Sequence, residues 1–216
     1  MSIMNPVLIA MAGAPASGKS VFRTQEHYRD NYMPGGAHLH CPDTVMKTMV
    51  GFRETANYSP AVAFRMYEMP ARELANNLLF QAMERRHNVV YDRSCALDDC
   101  FDVFEFAQQN GYIVKMHGMI GRPQYFNKRA IKSEQETKRH IPEENIFECH
   151  TGFARNYTAF INGNEKIKPL DEVRLWHSVN GKVLPVSRFT PATGEVIEKQ
   201  NCYDWFRRAA QQVPSR

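Results

Sequence analysis

The sequence lacks a long apolar stretch, a run of basic residues and a secretory leader. Its longest apolar run, residues 7–13, is far shorter than the roughly 18 residues that cross a bilayer. Residues 1–6 carry no basic segment typical of a signal peptide. We therefore expect no membrane contact and predict a cytoplasmic protein. The 27 basic and 23 acidic side chains leave a net charge of only +4, so we do not expect a nucleic-acid partner.

Cysteine and histidine patterns that hold metals or disulfides are also missing. The five cysteines are odd in number, no CxxC pair occurs, and the eight histidines show no HExxH spacing. A disulfide framework or a structural zinc site is therefore not expected. We predict reduced thiols at all five positions.

Apolar segments of strand length alternate with helical patterns along the 216 residues. Such alternation favours a parallel sheet covered by helices on both faces. Strands are predicted at 7–12, 37–40, 88–92, 112–120 and 173–177, followed by a hairpin at Asn180-Gly181 into 183–189. Helices are predicted at 21–32, 60–83 with a kink or break at Pro70, 98–110, 123–139, 143–161 and 202–212. We treat 1–216 as one domain, in which 122–161 form a lid and the following helices and 180–216 a hairpin and C-terminal helix.

Residues 13–20 read GAPASGKS and match GxxxxGK[ST] at every fixed position. The match follows a predicted strand and precedes a predicted helix, which is the context that this motif requires. Its glycines let backbone N–H groups cradle phosphate oxygens, and the helix offers its positive end to the same anion. Lys19 would reach the β- and γ-phosphates, and the Ser20 hydroxyl would ligate Mg²⁺. The predicted nucleotide-binding residues are Gly13, Ala14, Pro15, Ala16, Ser17, Gly18, Lys19, Ser20 and Val21.

The motif and the alternation together predict an α/β P-loop NTPase fold of the nucleotide-kinase type. This fold has three layers, with a mostly parallel five-stranded sheet, helices on both faces and here a small C-terminal hairpin. ATP or GTP and Mg²⁺ are the expected cofactors, since the loop itself does not distinguish the two nucleotides.

Two carboxylates follow predicted strands. Asp92 ends the apolar strand 89–92 and is the candidate second ligand of Mg²⁺ if that strand neighbours the first. Asp43 follows the second strand, at the sheet edge where ligands of such folds collect, and could accept the proton of an attacking hydroxyl. The alternative for each is a structural one: Asp92 as the cap of a turn, and Asp43 as the cap of a helix.

The transferring phosphoryl group also needs cationic partners. Several basic residues lie between the fourth and fifth strands, where compact kinases carry a helical lid that closes over the triphosphate. We expect two of them to reach the phosphates; the set comprises Arg122, Arg129, Lys132, Lys138 and Arg139.

This ordered set of motifs resembles the zeta-toxin-like P-loop kinases over about residues 6–185. GAPASGKS resembles the family's loop after the first strand, and CPDTVMK at 41–47 its acid-bearing segment after the second. Similar segments follow in order: VVYDRS at 89–94, GYIVKMHGMI at 111–120, RAIKSEQETKRHIP at 129–142 and VRLWHSVNGKVL at 173–184.

The resemblance implies ATP- or GTP-dependent phosphorylation of a small-molecule hydroxyl, typically that of an amino-sugar nucleotide. It implies that Lys19 and Ser20 contact nucleotide and Mg²⁺, that Asp43 is the base, and that Arg129 and Arg139 contact the γ-phosphate. It also implies a protein partner of the antitoxin type.

Two alternatives stay open at this point. One is a nucleoside, dinucleotide or polynucleotide kinase, since related P-loop kinases share this layout. The other is a nucleotide-gated binding protein without an acceptor substrate. Asp43 favours a kinase, because a nucleotide switch needs a water-positioning residue instead.

Overall fold

The computed structural model describes residues 5–179 and 182–211. Within them the chain forms seven strands and nine helices. The strands are β1 (Val7–Ala12), β2 (His38–His40), β3 (Val89–Asp92), β4 (Ile113–Ile120), β5 (Glu172–Val179), β6 (Lys182–Thr190) and β7 (Gly194–Ile197). The helices are α1 (Lys19–Thr24), α2 (Glu26–Tyr32), α3 (Pro42–Thr48), α4 (Phe52–Tyr58), α5 (Pro60–Glu84), α6 (Asp99–Gln109), α7 (Pro123–Thr137), α8 (Glu143–Asn162) and α9 (Gln200–Ala209).

All seven strands lie in one sheet with the order β2-β3-β1-β4-β5-β6-β7. The first five in this order are parallel, which confirms the predicted five-stranded parallel sheet. β6 and β7 add to the same sheet in antiparallel orientation. The hairpin partner of β5 is therefore found where the sequence predicts it, although the Asn180-Gly181 turn lies outside the described residues. No sequence signal predicts β7.

Side chains of β1 alternate between two apolar layers, as the pleat of a strand requires. Leu8 and Ala10 face a large core that α5, α6, α8 and α9 cover. Ile9 and Met11 face the other side, where Phe22 of α1 packs against them and α2 contributes two tyrosines. Helices thus cover both faces, and the three-layer arrangement is confirmed.

Two predicted helices differ from the observed ones. The helix expected at 21–32 is divided, because Gln25 is extended (ψ 129°) between α1 and α2. This division lets Phe22 and Tyr28 stack with ring centroids 4.2 Å apart. Of the kink or break expected at Pro70, the break is absent, since α5 continues through it. Pro70 has no N–H to donate to the Met66 carbonyl, and both residues are exposed to water.

The sequence patterns predict neither α3 nor α4. They pack on α5 through a small apolar cluster of their own, centred on Met46, Phe52 and Ala63. Across the described residues, no helix is long and apolar enough to cross a membrane.

Candidate active site

The loop between β1 and α1 has the backbone shape of an anion-binding turn. Positive φ angles occur at Gly13 (121°), Ala16 (57°) and Gly18 (101°). Alternating backbone conformations of this kind turn successive N–H groups toward the inside of a loop. Glycine is required at position 13, because a Cβ there would lie 2.3 Å from the carbonyl oxygen of Met119 on β4. The predicted nucleotide loop is therefore curled as phosphate binding requires.

Lys19 folds back across this loop. Its Nζ donates hydrogen bonds to the carbonyl oxygens of Gly13 at 2.8 Å and Ala14 at 3.0 Å. The Ser17 hydroxyl is buried in the same loop and has no hydrogen-bond partner among residues 5–179 and 182–211. A cation over the loop and an unpaired buried donor within it both fit a bound phosphate chain.

Asp92 lies beside the loop because β3 pairs with β1, with Met11 and Asp92 in register. Only 8% of the residue is exposed. Burial raises the pKa of the Asp92 carboxyl, and the nearby cations Lys19 and Arg23 oppose that rise. One Arg23 Nη lies 3.9 Å from a carboxylate oxygen of Asp92. The neighbouring strands that the sequence argument needed are thus present.

The residues around the loop fit Mg²⁺ better than a metal held by protein alone. In the described part of the chain, no group of three or more histidine, cysteine or acidic residues could hold a metal ion. Mg²⁺ characteristically takes one or two protein oxygens and completes its shell with water and nucleotide phosphates. The Asp92 carboxylate would be one such donor, and the Ser20 hydroxyl, exposed in the first turn of α1 beside Val21, would be the second.

Asp43 and Arg139, far apart in sequence, form an ion pair. Pro42 begins α3, which places Asp43 in its first turn, while Arg139 follows the end of α7. An Arg139 Nη lies 2.5 Å from a carboxylate oxygen of Asp43, and 40% of the Asp43 side chain is exposed. The structure therefore places the predicted base against one of the two predicted lid arginines.

Arg129 lies elsewhere, on α7, and its side chain reaches the end of β5. Its guanidinium donates to the Ser178 hydroxyl at 3.2 Å and is 5.2 Å from the centre of the Phe126 ring. Half burial lowers the pKa of this guanidinium. A Cβ on Gly18 would lie 3.7 Å from an Arg129 Nη, so this arginine borders the nucleotide loop. Arg129 and Arg139 therefore approach the site from different sides.

Several of these groups open into one cavity of about 400 Å³, which we call the central cavity, whereas Arg129 and Ser20 do not line it. Lys19, Asp43, Asp92 and Arg139 all line it. Other lining residues come from the loop, α3, α5, α8 and the segment after β3: Pro15, Pro42, Met46, Phe64, Glu68, Ala71, Arg72, Arg93, Ser94, Ala96, Leu97, Ile141, Asn145, Glu148, Cys149 and Arg155.

The sequence analysis missed the contributions of α5 and α8. Glu68 and Arg72 form an ion pair one turn apart on α5. Their i,i+4 spacing is visible in the sequence and could have indicated this pair. On α8, burial raises the pKa of the Cys149 thiol. Arg93 was visible only as the residue after Asp92.

The fold and the site together define a class. A parallel sheet in the order β2-β3-β1-β4-β5, with a GxxxxGK[ST] loop at the carboxyl end of its central strand, is that of a P-loop kinase-type nucleotide-binding domain.

The sequence model of the zeta toxin family matches residues 2–180. The chain therefore belongs to the zeta toxin family, and the resemblance stated from the motifs is confirmed. None of the curated proteins compared with the chain matches its sequence.

Solved structures agree on the fold. The crystal structure of AvrRxo1-ORF1:-ORF2 with ATP has a TM-score of 0.72 and 14% identity, and the match covers 99% of this chain and 67% of that one. The form with sulphate ions has a TM-score of 0.72 and 15% identity, and the match covers 98% of this chain and 66% of that one. The PezAT toxin-antitoxin structure of Streptococcus pneumoniae has a TM-score of 0.64 and 11% identity, and the match covers 96% of this chain and 87% of that one. The chain thus spans about two thirds of the AvrRxo1 protein.

Proposed function

We propose that this chain is a Mg²⁺-dependent kinase that transfers the γ-phosphoryl group of ATP to a hydroxyl of a small molecule, of the amino-sugar nucleotide class. The observation that carries the proposal is the shared cavity. Lys19 of the nucleotide loop and the carboxylate of Asp43 line the same central cavity. A donor triphosphate and an acceptor hydroxyl can therefore meet there.

In the proposed reaction Asp43 orients the acceptor hydroxyl and takes its proton. The acceptor oxygen forms a bond to the γ-phosphorus, while the bond from that phosphorus to the oxygen bridging the β-phosphate breaks. The bridging oxygen keeps the electron pair and leaves with ADP. Asp43 is exposed enough to meet a substrate, and only Arg139 is bonded to it among the described residues.

Cationic groups serve the charge of the transferring phosphoryl group. Lys19 lies over the loop that would hold the β- and γ-phosphates, and Arg129 borders that loop at Gly18. Arg139 would exchange its contact with Asp43 for the γ-phosphate, which would also leave the base free. Bound Mg²⁺, held through Ser20 and Asp92, supplies further charge neutralisation.

The size and charge of the cavity support a small anionic acceptor. About 400 Å³ lies in the range of small-molecule sites. Arg72, Arg93 and Arg155 also line it, and arginine is well suited to phosphate groups such as the diphosphate of a nucleotide sugar. A polynucleotide acceptor calls for an extended basic groove instead, with strong salt dependence.

The test is a transfer screen. Purified protein, Mg²⁺ and γ-labelled ATP or GTP are offered amino-sugar nucleotides, dinucleotides, nucleosides and a DNA oligonucleotide. We expect label on the amino-sugar nucleotides, lost in Lys19→Ala and Asp43→Asn and retained in Asp30→Asn, which alters an exposed ion-paired aspartate away from the cavity. Label on another class would contradict the acceptor, and nucleotide binding without any transfer would favour the nucleotide-gated binding protein.

We also infer a protein partner of the antitoxin type. The support is membership of the zeta toxin family and the likeness in fold to PezAT, which is described as a toxin-antitoxin system. If phosphoryl transfer underlies toxicity, expression of wild type should arrest a host cell while Lys19→Ala should not. Equal harm from both would exclude catalysis as the cause.

A further inference from the structure

Helix α8 packs on two sides, one toward the central cavity and one toward α9. Asn145, Glu148 and Cys149 on one side line the central cavity. On the other side His150 and Phe153 are buried beneath α9. Any displacement of α8 toward or away from α9 would therefore move one wall of the cavity.

On the cavity side α8 packs tightly against the segment that follows β3. A Cβ on Gly152 would lie 2.5 Å from the carbonyl oxygen of Ala96, a residue that itself lines the cavity. Asn156, one turn further along, donates to the carbonyl oxygen of Cys95 at 3.4 Å. The backbone of α8 is thus pressed directly against the segment that follows β3, and this contact fixes how far α8 can approach the cavity.

On the far side aromatic contacts with α9 press α8 inward. The His150 ring stacks on Trp205 with centroids 5.1 Å apart and an interplanar angle of 29°. Phe206 is fully buried and lies 5.3 Å from Phe153, centroid to centroid. Neither ring nitrogen of His150 has a hydrogen-bond partner within residues 5–179 and 182–211. Its ring contacts are therefore aromatic: the stack on Trp205, and an edge contact with Phe206 at 5.9 Å between centroids.

A half-buried carboxylate ties the same elements together. Glu195 of β7 accepts a hydrogen bond from the Tyr203 hydroxyl of α9 at 2.6 Å and another from the Tyr157 hydroxyl of α8. Arg207 of α9 donates to the Thr158 hydroxyl at 2.7 Å. Since the family match ends at residue 180, β7 and α9 lie beyond it.

We propose that Trp205 is a positioning residue for the central cavity. By stacking on His150, it holds α8 against Ala96, so that Glu148 and Cys149 keep their places in the wall. The segment beyond the family match then serves as a brace for the acceptor side. The nucleotide loop meets α8 through Ala14 and Ile146, one turn before His150, so we expect it to be disturbed less than the wall that Glu148 and Cys149 form. The kinetic consequence rests on the proposed kinase function; the positional consequence does not.

The positional consequence is tested first, with no substrate needed. Folded protein is treated with iodoacetamide, and the alkylation rate of Cys149 is followed by peptide mass spectrometry. In Trp205→Ala we expect a rate about tenfold above wild type, because loosening α8 opens the wall around this thiol. Trp205→Phe, which keeps a stacking ring, should restore the wild-type rate.

Phe80→Ala is the matched control. It removes an aromatic contact with a similar centroid separation, 5.3 Å to Phe106, although that pair is edge-on rather than stacked. This contact lies at the junction of α5 and α6 rather than of α8 and α9. Phe80→Ala and Trp205→Ala are compared for an equal loss of melting temperature. Of the two variants, only Trp205→Ala should then show faster alkylation of Cys149. Equal alkylation rates in the two variants would overturn the positioning role.

The kinetic consequence is measured with an amino-sugar nucleotide from the transfer screen. Trp205→Ala should raise the acceptor KM about tenfold, since a displaced wall misplaces the substrate, and raise the dissociation constant of ATP much less. A rise in the ATP dissociation constant of similar size would show general loosening and overturn the proposal. If wild type transfers to none of the acceptors, the kinase proposal fails, and the alkylation result alone decides the role of Trp205.

Discussion

Replacing Asp43 by asparagine should separate catalysis from nucleotide binding and from folding. The change removes the proton acceptor but keeps the shape of the side chain. General-base catalysis contributes about 10²- to 10⁴-fold to a rate, which corresponds to about 3 to 5 kcal/mol in the activation free energy. We expect the transfer rate to fall by that factor.

The effect of the same change on stability should be much smaller. Asp43 is 40% exposed and its partner Arg139 26% exposed, so their ion pair is partly screened by water. Such pairs contribute about 1 kcal/mol or less, equivalent to a shift of about 2–4 °C in melting temperature for a chain of this size. The loss of rate therefore greatly exceeds any loss that unfolding can explain.

The assay compares single-turnover label transfer, ATP affinity and thermal unfolding in wild type, Asp43→Asn and Asp30→Asn. Asp30 is a matched control, because it too is paired with an arginine, Arg29 at 2.8 Å, on an exposed surface. Asp30→Asn should change none of the three quantities. A wild-type transfer rate in Asp43→Asn would falsify the assignment of the base, and a large loss of ATP affinity would mean that Asp43 serves the nucleotide instead.

Three further predictions concern the loop and the core. Lys19→Ala should weaken ATP binding and abolish transfer, because it removes the cation over the loop; equilibrium binding of labelled ATP checks this, and unchanged affinity would contradict it. Gly13→Ala should cost at least about 2 kcal/mol in thermal unfolding, because its Cβ would collide with Met119, whereas Gly35→Ala, at an open position, should cost far less. Burial lowers the pKa of His150 from 6.5 to about 4, so the stability carried by its neutral form should be complete above pH 6.5 and be lost as the pH falls toward 4. His150→Phe should flatten the dependence of the unfolding free energy on pH over that interval, and an unchanged slope would count against this cause.

The parts of the fold that local pattern determines could be predicted from the sequence. β1 and β3 are short apolar runs, and the motif of residues 13–20 follows the first of them, so sheet and loop could be placed together. The division of the helix at Gln25 could not, because neither glycine nor proline marks it. The stacking of Phe22 on Tyr28 decides that turn, and this is a tertiary contact that a helical pattern does not reveal.

Some parts of the candidate site could likewise be predicted from the sequence, and others could not. Asp43 and Asp92 could be placed near the loop because parallel strands bring their carboxyl ends to one edge of a sheet. That Arg139 would meet Asp43 depends on the path of the whole of α7 and the chain beyond it. The α8 wall could not be predicted at all, since its cavity side and its α9 side are both packed, and the apolar pattern of a helix identifies only a buried face.

The lengths of the outermost strands have a consequence for how the chain meets other chains. The seven-stranded sheet ends at β2, which has three residues, and at β7, which has four. An edge strand presents unpaired N–H and C=O groups that another polypeptide can extend, and its capacity to do so grows with its length. Both margins here offer only a few such groups, so the sheet is poorly suited to β-augmentation or edge-to-edge aggregation, and a protein that binds this chain tightly would have to use its helices and loops.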